Sequence, residues 1–179
     1  MGNFGEREPG IRTEVRSRWT SDSLYLLFRC PYEELSVRPK PVTLTETNEL
    51  WKWNVAELFL GTDFTNIRRY KESEISPQGE WIDLDIDLDL PDHTVGRTWN
   101  SGFQVAARID RKNRVWYAAM RIPFAALEAN APWVGRTYRA NLFRTEGSHS
   151  RERSAAWKAP MSKTFHTPQR FGLLKLVGQ

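Results

Sequence analysis

The sequence has few of the residues that most often carry cross-links or catalysis. Cys30 is the single cysteine in 179 residues, so no intrachain disulfide can form. Its place in the apolar run SLYLLFRC marks it as a buried, inert thiol. Three histidines, His93, His149 and His166, fall in separate loops without the spacing of metal ligands. No nucleophile elbow, no Ser-His-Asp order and no phosphate-cradling glycine loop is found. No apolar run approaches the length of a membrane span, so no membrane partner is expected. An excess of charge of one sign is missing as well: 26 basic and 22 acidic residues leave a net +4 spread along the chain. Nucleic-acid binding shows clustered Lys and Arg instead, so no nucleic-acid partner is expected. The opening MGNFGEREPG holds no apolar signal core, which by itself leaves the compartment open.

Aromatic residues, by contrast, are abundant: eight Trp, nine Phe and five Tyr. Tryptophan is awkward in a core, because its ring is large and its N–H needs a partner. Eight in one small domain suggest that some serve a surface. The length suits a single domain over 1–179, with 1–10 expected as a flexible lead-in.

Short period-two runs broken by turn residues predict an all-β, antiparallel β-sandwich or jelly-roll-like fold with one short helix. The runs are SLYLLFRC (23–30), VAELFLG (55–61), IRRYKESEIS (67–76), EWIDLDIDLDL (80–90), GFQVAARID (102–110), RVWYAAMRI (114–122), RTYRANLFRTEG (136–147), SAAW (154–157) and FGLLKLV (171–177). Pro77 and Gly79 supply one hairpin turn and RKN another, while PFAALEAN (123–130), with Pro123 in its first turn, reads as helix. In EWIDLDIDLDL the apolar residues share one face. Asp83, Asp85, Asp87 and Asp89 share the other, with like-facing neighbours about 6.6–6.8 Å apart. Calcium needs oxygens converging at about 2.3–2.6 Å, which a straight row cannot offer. A solvated face paired with Lys or Arg of the next strand is the expectation.

Long loops at 31–50, 91–101 and 145–169 gather Trp, Arg, His and Asn, and loops held on a rigid scaffold tend to carry function. In LWKWNVAELFLG, Trp51 and Trp53 precede a strand containing Glu57. Two-residue spacing in an extended segment would point both indoles the same way, with one expected exposed and the other partly buried. A sugar has apolar C–H faces and a rim of hydroxyls. An aromatic plate beside carboxylate, amide or guanidinium groups therefore matches both halves of such a ligand.

Taken in order, LWKWNVAELFLG, YKESEISPQGEW, RVWYAAMRIPFAAL, RANLFRTEG, AAWKAP and FHTPQRFGLLKL resemble the family 9 carbohydrate-binding modules, more closely the family-9-like bacterial proteins. The resemblance runs from about residue 11 to the C-terminus. It implies a β-sandwich in which two aromatic side chains sandwich the terminal sugar of a chain while charged and amide groups hold its hydroxyls. It makes Trp51 the first plate and Glu57 its acidic partner. It puts Phe165 where the family's second plate is a Trp, with His166 beside it, and matches Arg151 to a ligand-binding arginine. Glu72 and Glu74 stand where some members use Gln and Arg, and Ser162 where a binding Asn would sit. The resemblance further implies mono- or oligosaccharide ends as partners, no required cofactor, structural calcium with unassigned ligands, and a secreted or periplasmic setting.

Non-catalytic sugar binding is thus the leading expectation. A small glycoside hydrolase or lyase would use Glu57 with Glu72 or Glu74, since such enzymes need two carboxyls across a cleft. A protein- or nucleic-acid-binding sandwich would use the aromatics as stacking plates, with steep salt dependence in the nucleic-acid case.

Overall fold

The computed structural model describes residues 1–7, 11–91, 99–147 and 152–178. Ten strands form two antiparallel sheets. β1 (Glu14–Trp19), β2 (Ser23–Pro31), β7 (Val115–Pro123) and β6 (Gln104–Asp110) form the first, in the order β1-β2-β7-β6. The second runs β10 (Gly172–Lys175), β8 (Thr137–Glu146), β3 (Val55–Gly61), β4 (Arg69–Ile75), β5 (Trp81–Asp87). β9 (Arg153–Ala156) pairs with β8 beyond β10. One turn of α-helix, α1 (Phe124–Leu127), begins directly after Pro123, which stands at its N-cap.

The all-β sandwich expected from the alternation is the observed architecture. Leu24, Leu26, Phe28 and Cys30 of β2 bury alternate positions against Ala56, Leu58 and Leu60 of β3, with Trp116, Ala118 and Met120 of β7 completing the core between the sheets. Burial of Cys30 pushes its thiol pKa up to about 12, which keeps it unreactive. β1 lacks the alternation of the other strands because EVRSRW is mostly exposed and half charged. Such a composition protects the rim of a sheet from pairing with another chain.

One end of the core is closed by charge. Arg144, 1% exposed, donates from Nη1 to the Ile11 carbonyl (3.0 Å) and from Nη2 to Glu146 Oε2 (2.5 Å). Glu146, fully buried, also accepts from Arg153 Nη2 (2.9 Å) and the Glu33 backbone N–H (2.7 Å). The network ties residues 11, 33 and 153 to β8. The first residues are hydrogen-bonded to the segment around β9: Ala156 N–H donates to the Met1 carbonyl (2.6 Å) and Met161 N–H to the Asn3 carbonyl (2.8 Å).

The second sheet buries both of its faces. Register aligns Glu57 with Glu74, Phe59 with Glu72, and Glu72 with Leu84. The face opposite the inter-sheet core therefore carries Val55, Phe59, Tyr70, Ile82, Leu84, Ile86 and Phe143, a separate apolar cluster. Leu50, Trp51, Phe165 and Phe171 cover it from two loops.

This arrangement corrects the reading of the aspartate row as a solvated face. Ser73 and Asp83 are in register and lie on the side of Leu58, toward the core. Asp83 is 1% exposed and accepts from Ser101 N–H (3.0 Å) and the Ser101 hydroxyl. The expected pairing with the preceding strand does occur at Lys71–Asp85 (2.8 Å) and Arg69–Asp87 (3.0 Å). Alternation reported the two faces correctly, but not that the apolar one turns away from the other sheet.

Candidate functional site

Above that outer cluster, two loops leave a cavity of about 260 Å³. Its floor is sheet: Glu57 and Phe59 from β3, Glu72 from β4, Leu84 from β5 and Thr145 from β8. One wall comes from Trp51, held in a one-turn 3-10 helix (Leu50–Lys52) whose Leu50 is fully buried and whose preceding residue, Glu49, adopts φ 59°. The facing wall is the segment after β9, contributing Lys163, Thr164, Phe165 and His166.

That segment is strapped across the outer face by specific bonds. Trp157 N–H donates to the Leu142 carbonyl (2.8 Å), and the Asn141 amide exchanges bonds with the Lys158 backbone (2.8 and 2.9 Å). Arg139 Nη2 donates to the Pro168 carbonyl. Phe165 then lies parallel on Phe143, with centroids 4.3 Å apart and planes 6° from parallel. His166 stacks on Phe59 at 5.3 Å, and its Nδ1 shares a 2.6 Å hydrogen bond with the Tyr70 hydroxyl. Phe165 and His166 are thus each backed by another ring, so little of their orientational freedom remains to be lost on binding.

The polar part of the floor is unusual. Glu57, Glu72 and Glu74 are 2%, 4% and 0% exposed. One carboxylate oxygen from each lies within 4.8 Å of the others, a spacing at which a single cation could touch all three. Among the described residues, no other group of three His, Cys, Asp or Glu side chains comes so close together. Oε2 of Glu72 and both oxygens of Glu74 accept from no N–H or hydroxyl donor, and Glu72 and Glu74 hydrogen-bond each other through a shared proton. Burial, then the neighbouring carboxylates, hold Glu57 and Glu74 well above the usual carboxyl range; burial pushes Glu72 up to about 7. The three therefore share protons at neutral pH rather than carrying three charges.

Of the residues singled out in the sequence, Trp51, Glu57, Glu72, Phe165 and His166 line this one cavity, and Glu74 stands directly across from Glu57. Trp53 does not line it. The 3-10 turn rotates Trp51 away from the extended geometry that would have paired the indoles, and Trp53 follows in extended backbone. Both are half-buried, not one exposed and one covered. Arg151, like His93 and His149, lies outside the described residues. Ser162 takes no part in the lining; its hydroxyl accepts from Thr164 N–H (3.3 Å). The lining also includes Asn3, Thr145, Glu152, Ser154, Lys163 and Thr164, none of which stood out in the sequence. Thr145 could have been found, since it faces the same way as Phe143 two residues earlier on β8. Asn3 could not, because only the docking of the first residues brings it there.

A larger cavity, about 960 Å³, opens between the sheets where β1 approaches β9. Its walls are mainly apolar, among them Val15, Leu26, Phe28, Leu142 and Leu174. Trp157 is part of its lining, but among the described residues no carboxylate is.

No family model matches the sequence. An Arthroderma benhamiae protein named "Extracellular protein" is 24% identical over 184 residues, spanning 96% of this chain and 82% of its own length. Three-dimensional likeness is more informative. A Bacteroides uniformis protein provisionally assigned as carbohydrate-binding superposes with a TM-score of 0.74 at 15% identity, over 93% of this chain and 78% of the other. A family 9 carbohydrate-binding module of Caldicellulosiruptor kristjanssonii, solved with glucose, gives 0.64 at 15% identity over 99% and 82%. Solved with cellotriose, the module from that organism gives 0.65 over 99% and 81%. The chain has the family 9 module fold. At such identity the likeness fixes the sandwich and its strand arrangement, and the side chains must argue the rest.

Proposed function

We propose that this family-9-like sandwich is a non-catalytic carbohydrate-binding module whose outer-face cavity takes the end of a saccharide. The carrying observation is that Trp51 and Phe165, from loops 114 residues apart, flank one small cavity floored by Glu57 and Glu72 with His166 at its wall. Rings engage the C–H faces of a pyranose, each contact contributing about 1 kcal/mol. The carboxyls and imidazole take up hydroxyls, at about 1–3 kcal/mol for bonds to charged groups. So small a contact implies micromolar to millimolar affinity, about 4–8 kcal/mol. No cofactor is needed for this binding. Glucose and cellotriose in the Caldicellulosiruptor kristjanssonii structures favour glucosyl ends.

The catalytic alternative is weakened by placement. A glycosidase needs two carboxyls flanking the scissile bond from opposite sides, at about 5–5.5 or 6.5–9.5 Å. Glu72 and Glu74 share β4, and Glu57 is in register with Glu74. All three point from the same face of two neighbouring strands and do not face one another across a cleft.

Titrating the protein with glucose, cellobiose, xylobiose, galactose and a uronic acid while following tryptophan fluorescence tests the reading. A saturable change with one or more sugars, and no product on long incubation, is expected. A folded protein silent toward the whole panel, or one that releases a hydrolysis product, contradicts it.

A further inference from the structure

The floor of this cavity asks for more than hydroxyl donors. Buried carboxylates normally face a cation or a set of backbone N–H donors. No cation and no N–H donor reaches Glu72 Oε2, although Glu72 is 4% exposed and lines the cavity; both oxygens of Glu74 lack such donors too, and only a proton shared between Glu72 and Glu74 links them. Around the trio stand Tyr70 on the same strand as Glu72, Glu152 before β9, and Lys163 and His166 in the strap. Lys163 is exposed on the rim and forms no ion pair with the three glutamates, whereas Glu152 adds further negative charge, raising the Glu57 pKa. Acceptors at about 2.8 Å from a tetrahedral ammonium lie about 4.6 Å apart. Oxygens gathered within 4.8 Å suit that spacing.

We propose that the cavity is selective for an amino sugar, whose ammonium group is held by Glu57 and Glu72 with Glu74 behind them, while Trp51 and Phe165 engage the ring. The inference rests on the sugar-binding reading above and narrows its ligand class. A neutral hexose donates hydroxyl hydrogen bonds to the carboxyls but brings no charge to balance them. An ammonium lets them ionise inside a low-dielectric floor, where the ion pair is strong. An N-acetyl group removes the charge and adds bulk, and a uronic acid brings a repelling carboxylate. Because burial holds the trio partly protonated, seating a cation expels protons.

Calorimetry at pH 6.5 in EDTA, comparing glucosamine, glucose, N-acetylglucosamine and glucuronic acid, decides the matter. Glucosamine is expected to bind at least about ten-fold more tightly than glucose. Its heat is expected to change between buffers of different ionisation enthalpy, reporting proton release. The ratio is expected to collapse in Glu72→Gln. Glucose binding as tightly as glucosamine would overturn the amino-sugar inference and leave sugar binding standing. Glucose binding that appears only when calcium replaces EDTA would overturn it in favour of a metal-bridged sugar. Silence toward all four sugars from folded protein would remove both the inference and the reading beneath it.

Discussion

Trp51 and Trp53 sit two residues apart, yet only the first lines the cavity, and the difference gives a controlled comparison within one segment. Trp51→Ala should weaken sugar binding by about 1–2 kcal/mol, the loss of one stacking face. Trp53→Ala should leave affinity within about two-fold, the scatter expected for a residue away from the contact. Calorimetry with the best sugar of the panel reads both. Glu74 allows a second prediction. Its folded carboxyl is held well above the 4.5 of an unburied glutamate. The stability it contributes is therefore full below about pH 4.5 and lost as pH rises through its folded value. Glu74→Gln should accordingly raise unfolding free energy at pH 8, on the order of 1–3 kcal/mol, and change it little at pH 4. Urea melts of both proteins at the two pH values check the sign.

At the scale of elements, the site depends on a strap laid over a sheet. Gly172, at the start of β10, permits the close approach of Trp157. A Cβ there would meet Trp157 Cη2 at 2.8 Å and Cζ3 at 2.9 Å. Gly172→Ala should displace the Trp157 indole and with it the segment carrying Phe165 and His166. A loss of sugar affinity exceeding the loss of stability is expected, read by titration beside thermal melts. Arg144 works at the other end of β8. Arg144→Met leaves Glu146 buried with less compensation and should cost about 3–5 kcal/mol, measured by denaturant unfolding.

The strands themselves were legible because alternate positions such as Leu24, Leu26 and Phe28 are buried one by one. The strap and the 3-10 turn were not. Their geometry comes from bonds such as Asn141 to Lys158 that span the fold, which no local pattern encodes. The same limit hid the second face of the sheet. Period two separates Ile82, Leu84 and Ile86 from the aspartates but cannot say which side meets the other sheet.

For the molecule as a whole, the sandwich presents one sheet whose outer face is roofed by loops, and the roof is incomplete at the cavity that Trp51 and Phe165 both line. The pairing of those two residues across 114 positions of sequence was reached through family resemblance. Composition alone offered only an excess of rings without an address. Binding of a neutral sugar there should hardly respond to ionic strength. A nucleic-acid partner would instead weaken by orders of magnitude between 50 and 200 mM salt, a difference that affinity measurements at the two salt levels expose.

The most direct test of the account is a calorimetric titration of a glucosyl or glucosaminyl sugar into the wild type, Trp51→Ala and Phe165→Ala proteins, each confirmed as folded. The account predicts saturable heat for the wild type that falls in both variants. Heat that persists unchanged in both variants would place the ligand elsewhere on the molecule and contradict it.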